Sequence, residues 1–194
     1  LQRFDQYRPA QARGQGAPPL ILWNHRWEYD KNPQEFFQLL FSLQQEGHDF
    51  EVAILGESYR KAPAIFTEAR QRLGTRVIQY GYAKDFADYA RWLWRADILP
   101  VTSQHDFFGA SVVQALYCGC TPLLPDRLAY PEHIPDADKE SFLYQDSADL
   151  LQKLRQMISK PCPTPDTLRQ HVARYDWQTL VADYDNLLEK LSPH

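Results

Sequence analysis

The stretch Leu20 to Lys31, LILWNHRWEYDK, decides the fold. Leu20 to Trp23 is a short apolar run, the pattern of a buried strand. Arg26 and Lys31 follow it on a turn, and Asn32-Pro33 then predicts a helix start. Asn32 suits the N-cap, Pro33 the first helical position and Glu35 the far side of a capping box. Strand, cationic turn and helix together form the arrangement in which an α/β sheet meets a phosphorylated ligand, at the carboxyl ends of its strands. Two fixed cations offset the charge of a diphosphate, whether bound or leaving. A lone Arg/Lys pair on a loop is ordinarily two solvated charges. The tryptophans on either side of Arg26 and a second site downstream favour the phosphate.

Outward from this stretch, strands and helices alternate. Helix 33–46 turns Phe36, Phe37, Leu39, Leu40 and Leu43 inward and stops at Gly47. Strand 50–55 runs into Gly56-Glu57-Ser58. A helix over 63–73 and a strand over 76–79 lead to Tyr80-Gly81-Tyr82. Helix 86–95, strand 98–102, helix 110–117 and strand 121–124 complete the pattern. Helical segments of ten to fifteen residues between strands predict βαβ units, hence a Rossmann-like parallel sheet with helices on both faces. After a brief strand at 141–144 come three helices, near 147–158, 165–173 and 177–191, with Pro161, Pro163 and Pro165 between the first two. They read as a helical carboxyl-terminal tail. Trp177, after the N-cap candidate Asp176, reads as a buried structural residue.

Residues 1–19 lack periodicity and are rich in Gln, Arg, Gly and Pro, a linker composition. The chain is therefore divided into a linker, 1–19, and a single domain, 20–194. A domain beginning abruptly after a linker, in a chain that opens on Leu1, predicts an amino-terminal half upstream.

The 194 residues, 44% hydrophobic and 13% aromatic, suffice for a full core. With 21 basic and 25 acidic residues the net charge is -4, which gives no chain-wide attraction to nucleic acid or membranes. No apolar run is long enough for a membrane span, and no signal peptide opens the chain. Three cysteines, Cys118, Cys120 and Cys162, do not make a disulfide framework. Cys118 and Cys120 with His105 or His133 lack the second cysteine pair that metal-ligand spacing requires. They read as partly buried thiols in a reducing cytoplasm, and no metal or cofactor is expected.

The second site lies in Ser103 to Leu124, SQHDFFGASVVQALYCGCTPLL. Gly109 joins a buried strand to a helix, and the N–H groups of Gly109, Ala110 and Ser111 are expected to be free at its start, suited to phosphate. Asp106 precedes the turn, and Gln114 stands where its amide reaches a ligand over the sheet edge. The alternative makes Phe107 and Phe108 core aromatics and Gly109 an ordinary turn glycine.

These motifs resemble the carboxyl-terminal, donor-binding half of GT-B glycosyltransferases of the large retaining family 4. Arg26, four residues and Lys31 match that family's element after the first strand of this half. Asp106, seven residues and Gln114, with Phe108-Gly109 in register, match its Glu/Glu element, and Cys118 to Pro122 its next strand entry. Within the family, residues 23–33, 105–109, 115–120 and 126–132 resemble the tRNA-queuosine α-mannosyltransferase group. The resemblance implies a nucleotide-sugar donor, GDP-mannose, with tRNA as acceptor engaged mainly by the missing half. It implies that Arg26 and Lys31 hold the diphosphate as it leaves, aided by Gly109, Ala110 and Ser111, and that no metal is required. Asp106 would approach the transferred sugar, Gln114 the ribose, and Tyr80, Gly81 and Tyr82 the base, with Gly56 and Phe108 completing the donor site. Two departures from the family pattern, Asp106 for Glu and neutral Gln114 for Glu, leave a degenerate nucleotide-binding or interaction domain as the rival. The absence of G-x-G-x-x-G after the first strand speaks against a dinucleotide-dependent dehydrogenase, and no marked carboxylate pair suggests a glycosidase.

Overall fold

The computed structural model describes residues 1–10, 16–57, 62–160 and 164–191. Ser58, Pro161, Cys162, Pro163 and residues 11–15 of the expected linker lie outside them. The apolar run after Pro19 forms β1 (Leu20–Trp23), whose four residues are all fully buried. Its alternation sends Leu20 and Leu22 to one face of the sheet and Ile21 and Trp23 to the other. In chain order there follow α1 (Pro33–Gln45), β2 (Glu51–Leu55), α2 (Ile65–Leu73), β3 (Val77–Gly81) and α3 (Phe86–Arg95). Then come β4 (Ile98–Pro100), α4 (Ala110–Tyr117), β5 (Thr121–Pro125), the one-turn α5 (Lys139–Phe142) and β6 (Leu143–Tyr144). Helices α6 (Ser147–Ser159), α7 (Asp166–Ala173) and α8 (Trp177–Leu191) close the chain.

The sheet is parallel throughout, in the order β3-β2-β1-β4-β5-β6. The chain winds one way from β1 to β3 and the other way from β4 to β6, so the order reverses between β1 and β4. In doubly wound sheets a ligand crevice opens at that point, outside the carboxyl ends of the strands. One face is covered by α1, α2 and α6, with Phe36, Phe37, Phe66 and Leu150 packed around Trp23 and Ile54. The other is covered by α3 and α4, with Leu93, Val113 and Leu116 in one cluster with Leu22 and Leu99, and α7, whose Leu168 belongs to the same cluster, packs on α4. The expected tail thus splits, α6 joining one face and α7 the cluster on the other. Residue Trp177 of α8 is 66% exposed, stacked on Tyr184 with ring centroids 6.1 Å apart, which corrects its reading as a buried residue.

The linker composition does not leave the start of the chain unattached. Gln2–Tyr7 forms a 3-10 turn whose Phe4 is buried against Phe86 and Tyr89. Trp94 Nε1 donates to the Phe4 carbonyl at 2.8 Å, and the Gln2 amide donates to Asp176 at 3.0 Å. This part of the expected linker belongs to the domain, because a single aromatic packs against the aromatic side chains of α3. The capping box before α1 also takes another form. Asn32 adopts a left-handed conformation, φ 51°, and its amide donates to Glu35 instead of its oxygen capping the helix.

Candidate functional site

The turn after β1 is held against the end of β2. Trp23 Nε1 donates to the His25 carbonyl at 2.9 Å, and Trp27 Nε1 to the Leu55 carbonyl at 3.1 Å. The Trp27 amide donates to the Glu57 carbonyl at 3.1 Å. Gly56 permits this approach: its φ is +99°, and a Cβ there would lie 2.4 Å from the His25 carbonyl oxygen. With both tryptophans turned into the protein, Arg26 is directed outward. Its side chain is 58% exposed, and its only ion pair among the described residues is with Glu28 at 3.3 Å.

Lys31 differs. Its side chain is 10% exposed and its ammonium donates to the His105 carbonyl at 2.7 Å. It also faces Asp30 at 3.3 Å and Asp106 at 3.4 Å. Both carboxylate contacts exceed the roughly 2.7–2.9 Å of a strong charge-assisted hydrogen bond. The two predicted cations are therefore not equivalent, one being open and the other enclosed by acids.

Asp106 organises the second turn. One carboxylate oxygen accepts the Gly109 amide at 2.9 Å, and the other accepts the Tyr130 hydroxyl at 3.2 Å. The expectation that the Gly109 N–H is free is thus corrected, since a carboxylate three residues upstream claims it. Gly109 has φ +79°, and a Cβ there would press on Tyr130 at 3.2 Å. The N–H groups of Ala110 and Ser111 precede the first intrahelical bonds of α4 and keep the anion-attracting character of a helix start. Phe107 is fully exposed and not a core aromatic. Phe108 is 42% exposed, edge-on to His133 and Tyr175, and its carbonyl bonds His133 Nε2 at 2.6 Å.

At the topological switch lies a cleft of about 380 Å³. The exits of β1, β2 and β3 line it with Asn24, His25, Arg26, Gly56, Glu57 and Tyr82, and α3 and α4 with Tyr89 and Gln114. Gln114 Oε1 accepts the Tyr89 hydroxyl at 2.9 Å, which leaves its NH₂ group as a donor. Asn24 donates to the Ser111 carbonyl at 2.8 Å, and His25 Nδ1 lies 3.3 Å from Ser111 Oγ. The remaining polar atoms of this pair, Asn24 Oδ1 and His25 Nε2, are buried without a partner. An unmet buried polar group costs about 1–3 kcal/mol, so such atoms need explaining. Burial, followed by the nearby Lys31 charge, lowers the His25 pKa from 6.5 to about 4, so the ring is neutral at pH 7.

Of the sequence-predicted residues, the structure brings Arg26, Gly56, Tyr82 and Gln114 into this one cleft. Ser111 joins them through Asn24 and His25. Lys31, Asp106 and Gly109 are not among the residues lining the cleft but form a bonded group whose Lys31 and Asp106 charges act on His25, and Phe108 packs on His133 and Tyr175. Tyr80 is placed elsewhere: its ring lies 4.8 Å from that of Trp27 and beneath the Arg70 guanidinium, on the α2 face. Strand alternation turns Tyr80 away from the cleft, and Gly81, at φ +112°, ends the strand before Tyr82. Sequence reasoning missed Asn24, His25 and Tyr89. Polar residues immediately after a fully apolar strand were the available signal for the first two. Cys118 and Cys120 are buried, burial pushes both thiols up, and the described residues contain no cluster of three or more metal-ligating side chains.

The model of the family described as "Glycosyl transferases group 1" matches residues 7–176. The chain belongs to this family. Its sequence is 38% identical, over 141 residues, to the tRNA-queuosine alpha-mannosyltransferase of Drosophila melanogaster, covering 73% of this chain and 36% of that protein. It is 24% identical over 180 residues to the GDP-mannose:cellobiosyl-diphosphopolyprenol alpha-mannosyltransferase of Xanthomonas campestris, covering 88% and 47%. The chain thus spans less than half the length of these curated relatives. Among solved structures, the sucrose-phosphate synthase of Thermosynechococcus elongatus superposes with a TM-score of 0.75 at 18% identity, covering 90% of this chain and 45% of that one. This group 1 glycosyltransferase domain therefore has the fold of one half of a GT-B enzyme. No helix among its described residues is long and apolar enough to cross a membrane.

Proposed function

We propose that this glycosyltransferase domain binds GDP-mannose, as the donor half of a retaining enzyme that transfers mannose to queuosine in tRNA. The observation that carries the donor reading is the cleft at the strand-order reversal, lined by Arg26 and by Gln114 of α4, with Ser111 of the first α4 turn bonded to its Asn24 and next to its His25. The tRNA acceptor and the mannose rest on the 38% identical relative, and the GDP on the name of the Xanthomonas protein.

In this account Arg26 and the Ala110 and Ser111 amides take the diphosphate. Lys31 exchanges its two long carboxylate contacts for phosphate oxygens as charge builds on the leaving group. Charge separates between sugar and diphosphate in an oxocarbenium-like transition state, so these positive groups act most strongly as the bond breaks. They carry the charge that a metal would otherwise balance. Gln114 faces the ribose, Tyr82 the base, and Asp106 fixes the turn that approaches the transferred sugar. A tRNA acceptor and buried, unpaired thiols fit a cytoplasmic protein. Acceptor recognition and water exclusion fall to a second half, so the isolated domain binds donor without transferring sugar.

A second reading, a non-catalytic nucleotide-binding domain, draws on one observation: Asp106 is already engaged by Gly109, Tyr130 and Lys31. Calorimetric titration with GDP, UDP and ADP separates the two. A donor domain prefers GDP, whereas equal or absent binding of all three favours the degenerate domain. Mannosyl transfer by the isolated chain would overturn the two-half account.

A further inference from the structure

We propose that Asn24 and His25 form a neutral reader of donor sugar hydroxyls on the cleft floor, separate from the cationic groups that hold phosphate. The inference rests on the nucleotide-sugar reading above and assigns a specificity role to a pair which that reading leaves unused. Asn24 is 8% exposed and His25 4%, both line the cleft, and Asn24 Oδ1 and His25 Nε2 have no partner.

The chemistry of the two atoms selects the ligand group. Asn24 Nδ2 faces the Ser111 carbonyl at 2.8 Å, and the reverse amide orientation would set two acceptor oxygens against each other. Oδ1 is therefore the atom left over, and it accepts hydrogen bonds only. The oxygens of a diphosphate also only accept, so Oδ1 repels phosphate and attracts a hydroxyl. His25 Nε2 donates or accepts according to the tautomer set at Nδ1 by Ser111 Oγ, 3.3 Å away. A hydroxyl serves either tautomer because it both donates and accepts. The ring stays neutral at pH 7 beside Lys31, Asp106 and Asp30, so it offers phosphate no charge. Gln114 adds the complementary donor, since Tyr89 occupies its oxygen. The cleft thus divides its labour: Arg26 and the α4 N-terminus meet charge, and the floor presents an acceptor, a two-way nitrogen and a donor to hydroxyls.

The hydroxyls belong either to the ribose or to the transferred hexose, and the test distinguishes them. Binding of GDP-mannose, GDP and 2′,3′-dideoxy-GDP is measured for the chain and for Asn24→Leu and His25→Phe. Each substitution is expected to weaken GDP-mannose about tenfold while leaving dideoxy-GDP within about twofold. Loss shared by GDP assigns the pair to ribose, and loss confined to GDP-mannose assigns it to the hexose. Should either variant fold poorly, the unsubstituted chain decides: the His25 Nε2 resonance in ¹⁵N spectra shifts with GDP-mannose and not with dideoxy-GDP. Unchanged affinities in both variants, equal loss for dideoxy-GDP, or a His25 shift with dideoxy-GDP would overturn the inference. Failure of the unsubstituted chain to bind either GDP or GDP-mannose overturns the nucleotide-sugar reading itself.

Discussion

Asn24, His25 and Arg26 make the wall that lines the cleft, and Lys31, Asp106, Gly109 and Tyr130 make a second one outside its lining, from which the Lys31 and Asp106 charges act on His25. The first wall is open and unmet: Arg26 faces solvent, and two buried polar atoms lack partners. The second is closed on itself, with the Lys31 ammonium, the Asp106 carboxylate and the Gly109 amide all engaged within the protein. Both walls carry the residue types that a phosphorylated ligand needs, yet only one presents them. Substitutions in the open wall should therefore change binding more than stability, and substitutions in the closed wall should change stability first.

The largest effect concerns pH. Unfolded His25 titrates near 6.5 and folded His25 near 4, so between these values the unfolded chain holds the extra proton. Stability is complete above about pH 6.5 and falls by about 3 kcal/mol as pH drops to 4. His133, also lowered by burial, acts in the same direction. Denaturant unfolding at stepped pH checks this, and His25→Gln should give a flatter profile. A profile unchanged by that substitution would place the acid sensitivity elsewhere and weaken the claim of unmet demand in the open wall.

Lys31→Met comes next. It strands Asp30 and Asp106 without their shared cation and should cost about 2 kcal/mol, less than a fully buried pair because both carboxylates keep some water. The midpoint of urea unfolding reads it. Arg26→Ala should leave that midpoint nearly unchanged and weaken GDP about tenfold, roughly 1.5 kcal/mol. If Arg26→Ala destabilises as much as Lys31→Met, the distinction between the walls fails. The smallest effect belongs to Trp177, outside both walls. At 66% exposure its replacement by Ala should change stability by less than about 0.5 kcal/mol. A larger loss would mean that α8 is packed against something not visible in this chain.

Much of the fold was legible because local signals agree with tertiary ones. β1 is a bounded apolar run, and the boundaries of α3, α4 and α8 fall where sequence placed them. Gly109 as the entry to α4 followed from turn chemistry alone. What was not legible depended on contacts distant in sequence. The 3-10 turn at Gln2–Tyr7 exists because α3 receives Phe4, which no local pattern announces. The enclosure of Lys31 depends on Asp106, 75 residues away. Tyr80 and Tyr82 looked equivalent as a base-binding pair, and two residues apart on one strand they would share a face, but the strand ends at Gly81, φ +112°, and Tyr82 alone reaches the cleft. The unmet atoms of Asn24 and His25 emerge only when every nearby partner has been counted.

The central claim is that the open wall, at the reversal point of the sheet, is where a nucleotide sugar binds. A crystal structure of the chain with GDP-mannose tests it most directly. The account predicts the diphosphate within hydrogen-bond distance of Arg26 and the Ala110 and Ser111 amides, the ribose beside Gln114, and a sugar hydroxyl on Asn24 Oδ1 or His25 Nε2. A ligand seated instead in the cavity beside Trp94 and Arg169, or one that leaves Asn24 and His25 without partners, would contradict it.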